Sequence, residues 1–136
     1  MPWNAEPGRG FTTVEPWLPF GDSAINVADQ AINPDSILSL YRRLLWIRKG
    51  SDALRFGDYR PVEVTSAQVF AYLRGANEDR LLILLNFGIE PVTFPLPEGI
   101  VPATVVQSTY STRAAAAETG GLFRLDALEG VIVTLA

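Results

Sequence analysis

Carboxylates are the side chains with the widest catalytic potential in this chain, which has 15 Asp and Glu but no Cys or His. Those absences exclude disulfides, thiolate and imidazole metal sites, and nucleophiles activated by histidine. None of the acidic residues stands in a recognisable catalytic motif, and we expect no metal and no cofactor. Several are placed for capping or solvated roles at helix starts and turns: Asp22, Asp29, Asp35, Asp58, Glu78, Asp79 and Glu98.

Binding groups are concentrated near the start of the chain. Trp3, Asn4, Arg9 and Phe11 combine two aromatic rings with an amide and a guanidinium. Rings stack on apolar ligand faces, while amide and guanidinium groups form hydrogen bonds. The alternative interpretation is that Trp3 and Phe11 are packing anchors of a long loop, and for Trp17 packing is the favoured role.

A long loop and one helix must position these groups. Residues 1–24 are rich in Pro, Gly and aromatic residues without any period, which predicts an ordered irregular loop. A helix is then predicted with Asn33 as its N-cap, Pro34 at its first position and Gly50 just beyond its end. Its apolar side chains recur at intervals of three and four and form one face that needs a partner: Ile37, Leu40, Tyr41, Leu44 and Leu45.

Beyond Gly57 the pattern changes to short apolar segments separated by turn residues. Seven such strands predict an antiparallel β-sandwich, with residues 81–85 as a central strand and residues 75–79 as a hairpin loop. Phe70 and Tyr72 should share one face, and burial is favoured for both. Residues 114–121 are expected to form a flexible surface loop, with a short helical turn as the alternative. The predicted strands cover residues 58–64, 68–74, 80–87, 91–96, 103–110, 122–126 and 131–135.

Composition limits the classes of partner. The chain of 136 residues has 48% hydrophobic residues and a formal net charge of −4, with no basic patch for nucleic acid. No apolar run approaches the roughly 20 residues of a membrane span, and no signal peptide is visible. We therefore expect no nucleic acid or membrane partner, and a cytoplasmic location is favoured.

The ordered motifs of the first 45 residues resemble one family. They are Met1-Pro2-Trp3-Asn4, Gly10-Phe11-Thr12-Thr13, Pro16-Trp17-Leu18-Pro19, Asn26-Val27-Ala28-Asp29-Gln30, Asp35-Ser36-Ile37-Leu38 and Tyr41-Arg42-Arg43-Leu44. This series is similar to the last loop and helix of the (β/α)8 barrel in the oligo-1,6-glucosidase and α-glucosidase branch of the α-amylase superfamily, glycoside hydrolase family 13. Residues 51–136 resemble the C-terminal β-domain that follows that barrel.

The resemblance implies a mainly β protein with two parts: residues 1–50 as the eighth βα loop and final helix of a barrel, and residues 51–136 as a C-terminal antiparallel β-sandwich. Trp3, Asn4, Arg9 and Phe11 would border an acceptor-side sugar subsite. The family's catalytic carboxylates precede the matched region, so the chain is expected to be an inactive C-terminal part of a retaining glycosidase for α-linked gluco-oligosaccharides. The helix face would be covered by the missing barrel or by self-association through residues 1–50.

Two other hypotheses remain open. A non-catalytic carbohydrate-binding module would need aromatic rings on an exposed face of the sandwich. The candidate rings of the β-domain are Tyr59, Phe70, Tyr72, Phe87, Phe94, Tyr110 and Phe123. A trehalose synthase or sucrose isomerase would have a barrel that ends with a similar loop. Within the helix, Tyr41 is expected to extend the apolar face, while Arg42 and Arg43 are expected to form surface or interdomain pairs.

Overall fold

The computed structural model describes residues 1–113 and 121–136, so the loop predicted at residues 114–121 lies almost entirely outside the described residues. The chain divides into two compact units, Met1–Leu45 and Trp46–Ala136. They are described separately below as the N-terminal unit and the β-unit. The assignment of residues 1–50 to the end of a barrel stays a prediction.

The N-terminal unit begins with the predicted irregular loop, which contains one short 3-10 segment at Pro7–Gly10. The sequence analysis missed helix α1 (Val27–Ile32). Asn26 caps α1 because its side chain accepts a hydrogen bond from the Asp29 N–H at 2.9 Å and donates one to the Asp29 carboxylate at 2.6 Å. The capping role predicted for Asp29 is therefore confirmed.

Helix α2 spans Ile37–Gly50, so its predicted start at Pro34 was wrong. The side chain of Asn33 is used in a turn, where it accepts from the Asp35 N–H at 2.9 Å. Ser36 takes the capping position instead, and its hydroxyl accepts from the Ser39 N–H at 3.1 Å. Gly50 is the last residue of the helix and not the residue beyond it.

A short helix, α3 (Asp52–Phe56), precedes the strands of the β-unit and was not predicted from the sequence. Ser51 caps it, and the Asp79 carboxylate accepts hydrogen bonds from the Ser51 hydroxyl at 2.6 Å and the Ala53 N–H at 2.9 Å. The Asp79 carboxylate therefore has a capping role, which is one of the two roles predicted for it. Gly57 ends α3, where any Cβ would lie 2.4 Å from the Ala53 carbonyl oxygen.

All seven predicted strands are present and every pairing is antiparallel. Five form one sheet in the order β1-β2-β3-β7-β5, and β4 pairs with β6 in a second sheet. Strand β3 lies between β2 and β7, as predicted for the apolar run at residues 81–85. The strands are β1 (Asp58–Val62), β2 (Val69–Ala76), β3 (Asp79–Asn86), β4 (Val92–Pro95), β5 (Pro102–Ser108), β6 (Leu122–Leu125) and β7 (Gly130–Leu135).

The main core lies between the two sheets. Alternation along β3 directs Leu82 and Leu84 into it, where they pack with Phe94 of β4 and Phe123 of β6. The aromatic pair has ring centroids 6.4 Å apart. On the opposite face of β3, Leu81 and Ile83 pack with Ala53 of α3 in a smaller cluster. The predicted mainly β sandwich is confirmed, with α3 as an addition to it.

The face of the large sheet that bears α3 also presents a row of rings. Tyr59, Tyr72 and Phe70 follow one another with centroids 5.3 and 5.5 Å apart. Phe70 and Tyr72 share a face as predicted. The favoured burial was wrong for Phe70, which is 45% exposed, whereas Tyr72 is half-buried and packs against the cluster of Leu81 and Ile83. Tyr59 is 52% exposed. Only Phe94 and Phe123 among the described aromatic residues of the β-unit are buried.

Candidate functional site

The loop that contains the predicted binding residues is joined to helix α1 by backbone hydrogen bonds. The Pro2 carbonyl accepts from the Val27 N–H at 2.9 Å, and the Trp3 carbonyl accepts from the Ala28 N–H at 2.9 Å. Both donors belong to the first turn of the helix, whose N–H groups have no partner within the helix itself. The helix thereby fixes the position of Trp3.

A tight turn then brings Trp3 next to Phe11. Gly8, Arg9 and Gly10 all have positive φ, at 80°, 55° and 74°. The turn is closed by a 3.0 Å hydrogen bond from the Trp3 N–H to the Arg9 carbonyl. A Cβ on Gly10 would lie 2.8 Å from the Trp3 Cβ, so this turn requires glycine both for its backbone conformation and for space.

The four predicted site residues lie close together but differ in what they do. The rings of Trp3 and Phe11 have centroids 6.2 Å apart and both are largely exposed. The Asn4 side chain accepts from the Glu6 N–H at 3.2 Å. Arg9 donates to the carbonyls of Ala5 and Glu6, so its guanidinium stabilises the loop.

A groove of about 570 Å³ runs beside these residues, and we call it the loop groove. Of the predicted residues, Asn4 and Phe11 line it. Trp3 does not line it, but its ring lies next to the ring of Phe11. A second groove of about 600 Å³ shares Pro7, Thr12 and Thr13 with it. The full lining of the loop groove is Asn4, Glu6, Pro7, Gly10, Phe11, Thr12 and Thr13.

The lining of the loop groove combines one exposed ring with a carboxylate, an amide and two hydroxyl groups. The ring offers an apolar face, and the polar groups offer acceptors and donors for ligand hydroxyls. Glu6, Thr12 and Thr13 were missed by the sequence analysis, although they flank the singled-out residues. Only the fold of the turn shows that they line the same groove.

Trp17 does not pack within the described residues, so the packing role predicted for it stays a prediction. It is 92% exposed, in a segment between Pro16 and Pro19. The prolines restrict the backbone there, and the N-terminal unit has no apolar core into which the indole ring could pack. Arg43 donates to the Pro34 carbonyl at 2.8 Å, and the surface or interdomain pair expected for it stays a prediction.

Among the residues that the structure describes, the most buried charged group lies in the β-unit. Glu129 accepts hydrogen bonds from the Ser108 hydroxyl at 2.6 Å, the Arg113 guanidinium at 2.6 Å and the Asp126 N–H at 2.9 Å. The nearby Asn86 amide donates to the Glu90 and Asp126 carbonyls. These groups satisfy one another and join the loops at one end of the sandwich, so their role is structural.

Two further features concern metals and membranes. Across residues 1–113 and 121–136, no three acidic side chains converge as metal ligands would. None of the helices described above has the length and apolar character of a bilayer-spanning segment.

Comparison with known proteins gives the family. No protein-family model matches the chain. The oligo-1,6-glucosidase of Bacillus cereus is 35% identical over 102 residues, which cover 74% of this chain and 18% of that enzyme. The trehalose-6-phosphate hydrolase of Bacillus subtilis is 32% identical over 102 residues, again 74% of this chain and 18% of the relative. This chain is related to the C-terminal part of the α-glucosidases of glycoside hydrolase family 13.

Solved structures agree with this relationship to glycoside hydrolase family 13. The trehalulose synthase MutB from Pseudomonas mesoacidophila MX-45 matches with a TM-score of 0.87 and 33% identity, over 98% of this chain and 24% of that chain. The chain thus spans about a fifth of the length of the curated relatives and about a quarter of this structural neighbour. The family predicted from the motifs of the first 45 residues is confirmed.

Proposed function

We propose that this chain acts as the C-terminal part of an α-glucosidase-like enzyme on α-linked gluco-oligosaccharides. The N-terminal unit contributes the loop groove as one border of a sugar subsite, with Trp3, Asn4, Arg9 and Phe11 forming or supporting it. The β-unit is structural and shields the barrel. The similarity to oligo-1,6-glucosidases supports a gluco-oligosaccharide as the substrate, and the similarity to a trehalulose synthase supports an isomerase as the alternative.

The observation on which this proposal depends is the absence of an apolar core in the N-terminal unit. Its buried residues are Pro2, Asn26 and Ser36, while Ile37, Tyr41 and Leu45 along α2 are 69%, 62% and 62% exposed. Burying each such side chain contributes about 1.5–3 kcal/mol. The unit therefore gains stability when further polypeptide covers α2, either the preceding barrel or a second copy.

In the proposed enzyme, the reaction is a two-step displacement with retention. It needs two carboxyl groups about 5–5.5 Å apart, one as nucleophile and one as acid and base. Both would come from the preceding barrel. The residues of this chain would orient the sugar: Phe11 by stacking, and Asn4 with the neighbouring hydroxyls by hydrogen bonding.

The chain by itself is expected to show no hydrolysis of p-nitrophenyl-α-glucoside above the uncatalysed background, because it lacks the catalytic carboxylates. The assay requires material purified from a host without α-glucosidase. Turnover that co-purifies with the chain through two chromatographic steps would contradict this expectation.

Sugar binding is tested by titrating the full chain with isomaltose and maltose in ¹H–¹⁵N NMR spectra. Saturable shifts are expected at the Asn4 side chain and at the Thr12 and Thr13 amides. Phe11→Ala should weaken binding about fivefold, since loss of a stacking ring removes about 1 kcal/mol. Phe87→Ala is the matched control. It removes an exposed ring of the β-unit that lies outside the loop groove and outside the row of Tyr59, Tyr72 and Phe70.

A carbohydrate-binding module is the second candidate, and the row formed by exposed Tyr59 and Phe70 with half-buried Tyr72 between them favours it. Pyranose rings stack on exposed aromatic faces in the same way. The same titration separates the two proposals, because shifts confined to these three residues would assign sugar binding to the β-unit. Spectra that do not respond to either sugar would contradict both.

A further inference from the structure

A cavity of about 450 Å³ lies in the β-unit, beside the hairpin that joins β2 and β3. Its volume falls in the range of small-molecule sites in proteins, about 300–1,000 Å³. Three arginines and a single carboxylate are among its lining residues, and we call it the arginine cavity. Its lining is Asp58, Arg60, Leu73, Arg74, Gly75, Asn77 and Arg80.

The register of the strands explains why a cavity forms here. Gly75 of β2 is the partner of Asp58 on β1 and of Arg80 on β3, so these residues form one row across the sheet. Alternation puts this row on the same face as Leu73, which packs against the main core. Because glycine has no side chain, the floor of the cavity between Asp58 and Arg80 stays open.

The charges of the lining favour an anion as the ligand. Three arginines carry three positive charges and Asp58 carries one negative charge, so the lining has a net charge of +2. Asp58 lies 3.8 Å from Arg60, in a pair whose side chains are 80% and 75% exposed. Such a loose, solvated pair holds its partners weakly, and the Arg60 guanidinium is therefore free to bind a stronger acceptor.

Two other carboxylates of the hairpin do not line the arginine cavity. Glu78 is exposed, so water and salt screen its charge. Alternation along β3 puts Asp79 on the face of the sheet opposite Arg80, where it caps α3. Both keep their negative charge, but neither is a lining group that an anion would meet directly.

Arg74 supplies a second, independent observation. Its Nε is buried and has no hydrogen-bond partner among the described residues. Unpaired buried donors are uncommon in folded proteins, and a bound ion is one of the ways in which they are satisfied. Asn77, at the turn of the hairpin, adds an exposed amide that can donate to the same ligand.

We propose that the arginine cavity binds the phosphate group of a small molecule. Arg60 of β1 and Arg80 of β3 share a face and lie on either side of β2. Guanidinium groups form paired hydrogen bonds to phosphate oxygens. A phosphate monoester carries about −1.5 to −2 charges at pH 7, which matches the lining better than a single carboxylate does. This site goes beyond the proposed function, which gives the β-unit a structural role only.

The test is a titration of the full chain with inorganic phosphate and with glycerol 3-phosphate, followed in ¹H–¹⁵N NMR spectra at constant ionic strength. Saturable shifts are expected at the Asn77 side chain and at the Gly75 and Arg80 amides, with a Kd on the order of 1 mM. Tighter binding of glycerol 3-phosphate would support the site and assign it to a monoester. Tighter binding of inorganic phosphate would support the site and assign it to the free ion.

Two charge variants should change the affinity in opposite directions. Arg80→Gln removes a guanidinium and should weaken phosphate binding about tenfold, whereas Asp58→Asn removes the lining carboxylate and should strengthen it about threefold. A purely structural role of these residues would not produce opposite changes. Arg42→Gln is the matched control, because Arg42 is an exposed arginine that does not line the cavity.

Gly75→Val fills the floor of the cavity and should abolish the shifts. A Cβ at this position would lie 3.8 Å from the Arg80 Cγ, which is an ordinary contact, and valine is favoured in strands. The variant should therefore unfold in urea as the wild-type chain does. If it does not fold, the two charge variants decide in its place.

Three results would overturn the proposal. The first is the lack of any saturable shift with either phosphate compound up to about 20 mM. The second is binding of citrate without a response to phosphate, which would indicate a site for carboxylates. The third is an unchanged affinity for phosphate in both charge variants or in folded Gly75→Val, which would place the ligand elsewhere.

Discussion

Replacing Glu129 by glutamine is expected to lower the free energy of unfolding of the β-unit by about 1.5–3 kcal/mol. Glu129 is 1% exposed, and its carboxylate accepts from Arg113 and from the Asp126 N–H. The glutamine carbonyl oxygen can take the position of Oε2, but it carries no full negative charge, so the hydrogen bonds from the Arg113 guanidinium and the Asp126 N–H become weaker. Hydrogen bonds to charged groups contribute about 1.5–3 kcal/mol, and the loss of the carboxylate charge removes part of that contribution.

Urea unfolding followed by circular dichroism of the sheet measures this loss. The matched control is Asp58→Asn, which breaks the exposed 3.8 Å pair with Arg60 and should cost less than about 1 kcal/mol. Equal destabilisation by the two variants would show that the buried network contributes no more than a surface pair. Glu129 is the better partner to change, since Arg113 also donates to the Arg124 carbonyl and lies over the Phe123 ring.

Truncation of Phe94 to alanine is expected to destabilise the β-unit by about 3–5 kcal/mol. The ring is 1% exposed and lies between the two sheets, in contact with the ring of Phe123. Its loss removes apolar surface and leaves a cavity that rigid strands on both sides can fill only in part.

The comparison for this variant is Phe87→Ala, because Phe87 is 69% exposed on the same unit and should change stability by less than about 0.5 kcal/mol. Thermal and urea unfolding should agree in ranking the two variants. A stability loss below about 1 kcal/mol for Phe94→Ala would contradict the assignment of the main core to the space between the sheets.

The strands were accessible from sequence because apolar runs and turn residues are local signals. Each of the seven was predicted to within a few residues, and the apolar run at residues 81–85 revealed that β3 is covered on both faces. The pairing of the strands was harder to predict from sequence than their positions. Pairing of β7 between β3 and β5 depends on contacts across the whole chain, for which a single sequence has no local signal.

Polar roles were predicted less well than strands. Asp79 caps α3 from 26 residues away, and Glu129 pairs with Arg113 from 16 residues away. The local sequence around a carboxylate near a turn does not show whether the side chain is solvated or buried. The local capping pair of Asn26 and Asp29 was partly foreseeable, because its residues are three apart.

For the candidate site, the four predicted residues lie in the same segment as the loop groove, but only two of them line it. Asn4 and Phe11 line the loop groove, whereas Arg9 is directed to loop carbonyls by a positive φ at its own position. Glu6, Thr12 and Thr13 were missed because only the turn at Gly8–Gly10 brings them to the same groove. Trp3, Asn4, Arg9 and Phe11 stay predicted as binding residues.

The two outer strands of the large sheet limit how copies of this protein can aggregate. Strand β1 contains Pro61, which has no N–H to donate. It also contains two charged residues, Asp58 and Arg60. Strand β5 begins at Pro102 and has two register shifts along its pairing with β7. Such edges discourage the addition of a further strand. Exposed apolar side chains of this molecule should therefore lead to reversible association through side chains, without growth of intermolecular β-sheet.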